Sequence, residues 1–126
     1  MAEQILRRAD GAVVCERCTL ADSPLTRLRG LLGRDGLDRG EGLLLRPASS
    51  IHTFFMRFPI DVVFLDRALV VVAVADRIEP WRAASQRGAK AVLELPAGES
   101  SRRGISVGDQ LRSPPEAAPA LSCARC

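Results

Sequence analysis

Short apolar runs, each stopped by glycine, proline or an Asp-containing turn, set the tightest limit on what this chain can fold into. Residues 5–8 and 12–17 flank Asp10-Gly11. That dipeptide favours a tight hairpin, because both residue types tolerate positive φ. Residues 42–46 stop at Pro47, residues 60–65 and 69–78 flank Asp66-Arg67-Ala68, and residues 91–95 run into Pro96-Ala97-Gly98. Runs of this length suit strands and are too short for core helices. Residues 50–56 read as a further strand, and residues 107–111 as a turn entering a last one. Val70, Val71, Val72, Ala73 and Val74 follow one another without alternation, which predicts a strand covered on both faces. Helical patterning is confined to residues 21–33, where Leu25, Leu28 and Leu32 share a face behind Pro24, and to a single turn over residues 99–103. The expected fold is mainly β: a single-domain sandwich or open barrel of short strands with one N-terminal helix.

A chain of 126 residues suits one domain. Residues 1–112 are expected to form it. Residues 113–126 read as a Pro/Ala-rich tail, because Pro114, Pro115 and Pro119 cannot donate to a ladder. No apolar run reaches the roughly 18 residues of a membrane-spanning helix. Residues 1–8 lack the apolar stretch of a leader, so the expected compartment is the cytoplasm. The net charge of +3 comes from 18 basic and 15 acidic residues. The cations are interleaved with acids, and no basic run exceeds the pairs Arg7-Arg8 and Arg102-Arg103. With no Tyr and few aromatics, this predicts a solvated surface and no nucleic-acid partner.

Four segments carry a likeness. They are Arg29-Gly30-Leu31-Leu32, Glu41-Gly42-Leu43-Leu44-Leu45, the stretch from Ser50 through His52-Thr53-Phe54-Phe55-Met56-Arg57-Phe58 to Asp61, and Leu93-Glu94-Leu95-Pro96-Ala97-Gly98 followed by Gly104 and Val107-Gly108-Asp109. In this order and spacing the chain resembles the domain-of-unknown-function 192 family over about residues 6–111. The resemblance implies a mostly β, sandwich-like domain with a helix near the N-terminus. It brings no established reaction. Many relatives have a Trp-Met-Lys-Asn type sequence where this chain has Phe55-Met56-Arg57-Phe58. The basic position is kept as Arg57, and the amide is replaced by Phe58.

The residues themselves offer two candidate sites. His52 is the sole histidine, and Arg57 and Asp61 are charges in an apolar stretch with Phe54 and Met56. Strand alternation would put His52, Phe54 and Met56 on one face. On one reading these side chains wall an apolar pocket, Arg57 orients an acidic ligand or a partner's peptide, and Trp81 and Glu94 join from neighbouring elements. On the other, Arg57 pairs with Asp61 or Glu94 and pins a loop. An enzyme using Asp61, Glu94 and Arg57 would need a carboxylate of raised pKa beside a cleft. The Gly-rich residues 34–42 lack the Gly-Lys-Ser/Thr ending of a phosphate loop and read as a link.

The second candidate is the pair of CxxC motifs, Cys15 with Cys18 and Cys123 with Cys126. Four thiolates can hold a structural Zn2+ tetrahedrally, stapling the termini together. Unliganded thiols and an opportunistic disulfide are the alternatives. The leading expectation is a non-catalytic ligand- or partner-binding accessory domain, with the zinc-stapled domain and the enzyme behind it.

Overall fold

The computed structural model describes residues 3–21, 36–54 and 56–113. The helix expected within residues 21–33 falls on residues outside the described ones, apart from Ala21. Nine strands are described: β1 Glu3–Arg8, β2 Val13–Ala21, β3 Glu41–Leu45, β4 Ser50–His52, β5 Ile60–Leu65, β6 Val71–Ile78, β7 Ala83–Ser85, β8 Ala91–Pro96 and β9 Leu111–Arg112. One short helix, α1 Glu99–Arg102, follows β8. The mainly β expectation therefore holds.

Seven strands form one sheet in the order β6-β5-β8-β3-β2-β1-β9, and β4 and β7 form a second, small sheet. The large sheet curls into a half-barrel. Its two edges meet at one end, where Val71 N–H donates to Asp109 O at 2.9 Å, Gly108 N–H to Val71 O at 2.8 Å and Leu111 N–H to Leu69 O at 2.9 Å. The β1–β2 hairpin turns at Asp10-Gly11 as its sequence predicts, with Gly11 at φ 95° and Ala12 N–H donating to Asp10 Oδ1 at 3.0 Å.

Strand alternation divides the apolar residues between two layers. Leu6, Val14, Leu44, Val63, Leu65, Leu93, Leu95 and Leu111 fill the concave side. Leu43, Leu45, Ile60, Val62, Phe64 and Val92 point the other way, where Ile51, Met56 and the half-buried Phe58 and Ala84 cover them. The small β4–β7 sheet thus lies as a lid over the outer face of β3, β5 and β8. Gly42 leaves room for side chains on the concave side. A Cβ there would lie 2.7 Å from Cys15 Sγ and 3.0 Å from Leu95 Cδ2.

Two sequence expectations change. The strand expected over residues 50–56 ends at His52. Beyond it Thr53 leaves the ladder and ties itself to residues 79–82: its hydroxyl donates to Glu79 O at 2.6 Å and accepts from Arg82 N–H at 2.9 Å. The run from Val70 is an edge strand in the large sheet, where Val71 and Val74 meet one core layer and Val72 and Ala73 the other, but only Val71 of these is fully buried.

Candidate functional site

The small sheet presents its side chains alternately. Ile51 faces inward between the exposed Ser50 and His52, and Ala84 faces inward opposite it. His52 therefore stands on the outer surface. The chain turn after it brings Phe54 onto the imidazole, with ring centroids 4.8 Å apart and planes 26° apart. Phe54 stacks in turn on Trp81, at 5.8 Å and 25°. The stack is open to solvent: Phe54 is 39% and Trp81 55% exposed.

The backbone beneath Trp81 is strained. Its φ is 66°, in a region that bulky side chains rarely occupy. Buried Thr53 holds this turn, accepting Trp81 N–H on its carbonyl at 3.0 Å and Arg82 N–H on its hydroxyl at 2.9 Å. Beside the stack lies an open hollow of about 630 Å³, lined by Ser50, Ile51, His52, Phe54 and the strand Ala83–Ser85. Buried Thr53 thus fixes a strained backbone beneath a solvent-facing aromatic.

The structure separates the remaining candidates. Met56 is buried in the layer beneath the small sheet, so the expected shared face of His52, Phe54 and Met56 is broken by the turn at residues 53–56. Arg57 is exposed. The hydrogen bonds to Asp61 come from Arg77, Gly98 and Ser100 instead of from Arg57.

Asp61 is fully buried and faces the end of the half-barrel. Its Oδ2 accepts from Gly98 N–H at 3.0 Å, Ser100 N–H at 2.9 Å and Ser100 Oγ at 2.7 Å, and its Oδ1 from Arg77 N–H at 2.8 Å. Opposite it β6 bulges, since Ile60 pairs with Ile78 but Val62 with Ala75. The carboxylate fills that bulge, holding Arg77 at φ 50° and the start of α1. It is a structural acceptor.

Glu94 is on the other face. Val62 and Leu43 flank it in register, and Asp61 pairs with Leu95 instead. Glu94 is 6% exposed, and its carboxyl makes no hydrogen bond or ion pair among the described residues. Burial pushes its pKa up to about 7. Lying on opposite sides of one sheet, Asp61 and Glu94 do not form the acid–base pair of the enzyme reading.

Cys15 and Cys18 both lie in the concave core. Three residues apart on a regular strand, they would face opposite ways. A bulge in β2 corrects this: Leu6 pairs with Cys15 but Gln4 with Cys18. Hydrogen bonding to Cys15 and burial push the Cys18 thiol well above its usual range. No group of three or more metal-ligating side chains occurs among the described residues. Cys123 and Cys126 lie outside them.

Arg102 and Arg103 are consumed structurally. Arg102 Nε lies 2.6 Å from Glu99 Oε2, and Arg103 reaches Glu99 at 3.1 Å and Glu16 at 2.6 Å, tying α1 to β2. A second hollow of about 550 Å³, lined by Ile5, Arg7, Arg8 and Arg112 among others, lies at the β1–β9 edge. Sequence reading missed β7 and the stack it supports. The only prior signal was the rarity of Trp, a residue that a small core uses sparingly.

A known family accounts for most of the chain: the sequence signature of DUF192, described as an uncharacterised ACR, matches residues 5–113. The chain belongs to the DUF192 family. A UPF0127 protein of Thermococcus sibiricus is 33% identical to this DUF192 chain over 112 residues, covering 85% of the chain and 72% of the relative. A UPF0127 protein of Pyrococcus abyssi is 41% identical over 64 residues, 50% of the chain and 54% of the relative. Two solved structures share the fold. One, from Sinorhizobium meliloti and described as a candidate transcription regulator, superposes with a TM-score of 0.79 at 25% identity over 89% of this chain and 94% of its own. The other, a Novosphingobium aromaticivorans protein of unknown function, gives 0.75 at 24% identity over 87% and 83%. No described helix is long and apolar enough to cross a membrane.

Proposed function

We propose that this DUF192 domain is a non-catalytic binding module whose contact face is the small β4–β7 sheet. One observation carries the reading: three rings, His52, Phe54 and Trp81, stack in the open beside a hollow. Leaving two large aromatics so exposed forgoes roughly 25 cal/mol for each Å² of apolar area left wet. A partner that covers the rings recovers that energy. Exposed aromatics with nearby guanidinium groups are also the side chains that anchor interfaces. Arg57 and Arg82, both exposed in the flanking turns, suit a ligand that carries an acid.

The chain supplies its own reporters, because His52 and Trp81 are its sole histidine and tryptophan. NMR screening of small planar carboxylates and phosphates should yield binders that shift both the imidazole and the indole signals. Phe54→Ala should weaken them about tenfold, the loss of one stacking partner. Binders that shift neither signal would move recognition elsewhere and end this reading.

A second reading has one supporting observation. The β2 bulge turns Cys15 and Cys18 to the same side, as two ligands of a structural zinc completed by Cys123 and Cys126 must be. Protein purified without chelator would then carry close to one zinc per chain. Less than about half a zinc would remove the four-cysteine site.

A further inference from the structure

The two segments that build the small sheet and its flanks, residues 46–59 and 77–90, are charged unlike the rest of the chain. They contain Arg46, Arg57, Arg77, Arg82, Arg87 and Lys90 against one acid, Glu79. These 28 residues carry +5, whereas the whole chain carries +3, so everything else is net negative. Arg77 is paired with Glu79 at 3.2 Å. Arg82, Arg87 and Lys90 make no side-chain ion pair among the described residues. Arg82 follows Trp81 directly in the chain, Arg87 comes after the far end of β7 and Lys90 lies beyond it, so three of these cations are spaced along β7 and the turn after it.

We propose that this aromatic and basic face binds single-stranded nucleic acid, with bases stacking at Phe54 and Trp81 and the phosphate backbone running past Arg82 toward Arg87 and Lys90. The inference rests on the binding-module reading above and names its ligand. Every base has a flat π face that a stacked aromatic can accept without reading sequence, and a cationic track holds the backbone. An acidic polypeptide answers the charge but leaves the rings without a flat counterpart. Length favours a strand over a mononucleotide. Arg82 and Arg87 stand at opposite ends of β7, whose three residues span roughly 10 Å, too far for one phosphate to serve both. Duplex nucleic acid is disfavoured because its bases are already stacked on each other.

The test uses the full chain and its single indole. Oligouridylate or oligothymidylate of about a dozen nucleotides should quench Trp81 emission saturably. The affinity should fall steeply between about 50 and 200 mM salt. With a labelled oligonucleotide read by anisotropy, Trp81→Ala and Phe54→Ala should each weaken binding about tenfold or more. Arg82→Ala should lower the salt slope by about one. Both rings are exposed, so these variants should fold, and an unchanged unfolding curve verifies it. Polyaspartate of matched charge is the control. Equal quenching by polyaspartate, or oligonucleotide binding indifferent to Trp81→Ala, overturns the nucleic-acid assignment. If planar acids shift the His52 and Trp81 signals while oligonucleotides do not quench, this inference falls and the binding-module reading stands.

Discussion

Replacing Glu94 by Gln should stabilise the folded chain by about 3 kcal/mol at about pH 8 and by almost nothing at about pH 4. The carboxyl sits in an apolar layer, flanked in register by Leu43 and Val62, with no polar partner among the described residues. Burial alone lifts its pKa from 4.5 to about 7. The sign follows from linkage. The folded state holds this proton more tightly than the unfolded state does, so folding is undisturbed below about pH 4.5. As pH rises from there toward 7, the unfolded chain ionises freely while the folded chain resists, and stability is lost. Above about pH 7 the loss is complete, at roughly 1.4 kcal/mol per unit of separation. Gln keeps the shape of the neutral acid and cannot ionise, so the variant should lack the part of the pH dependence that Glu94 contributes. Denaturant unfolding of both proteins at several pH values measures the difference. Parallel pH curves for Glu94 and its Gln variant would show that the carboxyl is solvated or paired after all.

Asp61→Ala should cost about 4 kcal/mol or more, a large share of the roughly 5–15 kcal/mol that holds an ordinary domain folded. The change strands three backbone N–H groups, those of Arg77, Gly98 and Ser100, in a buried position. Each unsatisfied donor costs roughly 1–3 kcal/mol. It also releases the β6 bulge, where Arg77 is held at positive φ. Asp61→Asn separates the two contributions. With its oxygen at the Oδ2 position the amide still accepts from Gly98 and Ser100, but its NH2 then confronts the Arg77 N–H. A loss of about 2 kcal/mol is expected, intermediate between wild type and Ala. Equal losses for Asn and Ala would mean that the negative charge matters and the geometry of acceptance does not. The measurement is the unfolding free energy, and neither variant touches the exposed ring stack.

The contrast between these two carboxylates shows where sequence reading ran out. Asp61 and Glu94 look equivalent as lone acids in apolar strands. They differ because β5 and β8 pair with Asp61 opposite Leu95 and Val62 opposite Glu94, so that one residue's offset sends them to opposite faces. One meets the N–H groups of α1 and the β6 bulge; the other is flanked in register by Leu43 and Val62, with no hydrogen bond or ion pair among the described residues. The cysteines make the same point, since a bulge in β2 and not their spacing puts Cys15 and Cys18 on one side. β7 was invisible for a different reason. Ala83, Ala84 and Ser85 have no strand preference of their own and are extended because they pair with Ser50, Ile51 and His52 more than thirty residues away. The aromatic site inherits that invisibility, as Trp81 meets Phe54 only once β7 has docked on β4.

What the amino-acid sequence determined by itself is the strands other than β7, the Asp10-Gly11 hairpin, the short turn at residues 99–103 and membership of the DUF192 family. Those features are fixed by a few adjacent residues, through turn stereochemistry and apolar run length. The tertiary structure alone decided which side chains share a face, which acid is saturated with hydrogen bonds, and that His52, Phe54 and Trp81 stack in the open. Pairing register and burial depend on residues far apart in the chain, and a single bulge reverses the side on which a side chain emerges.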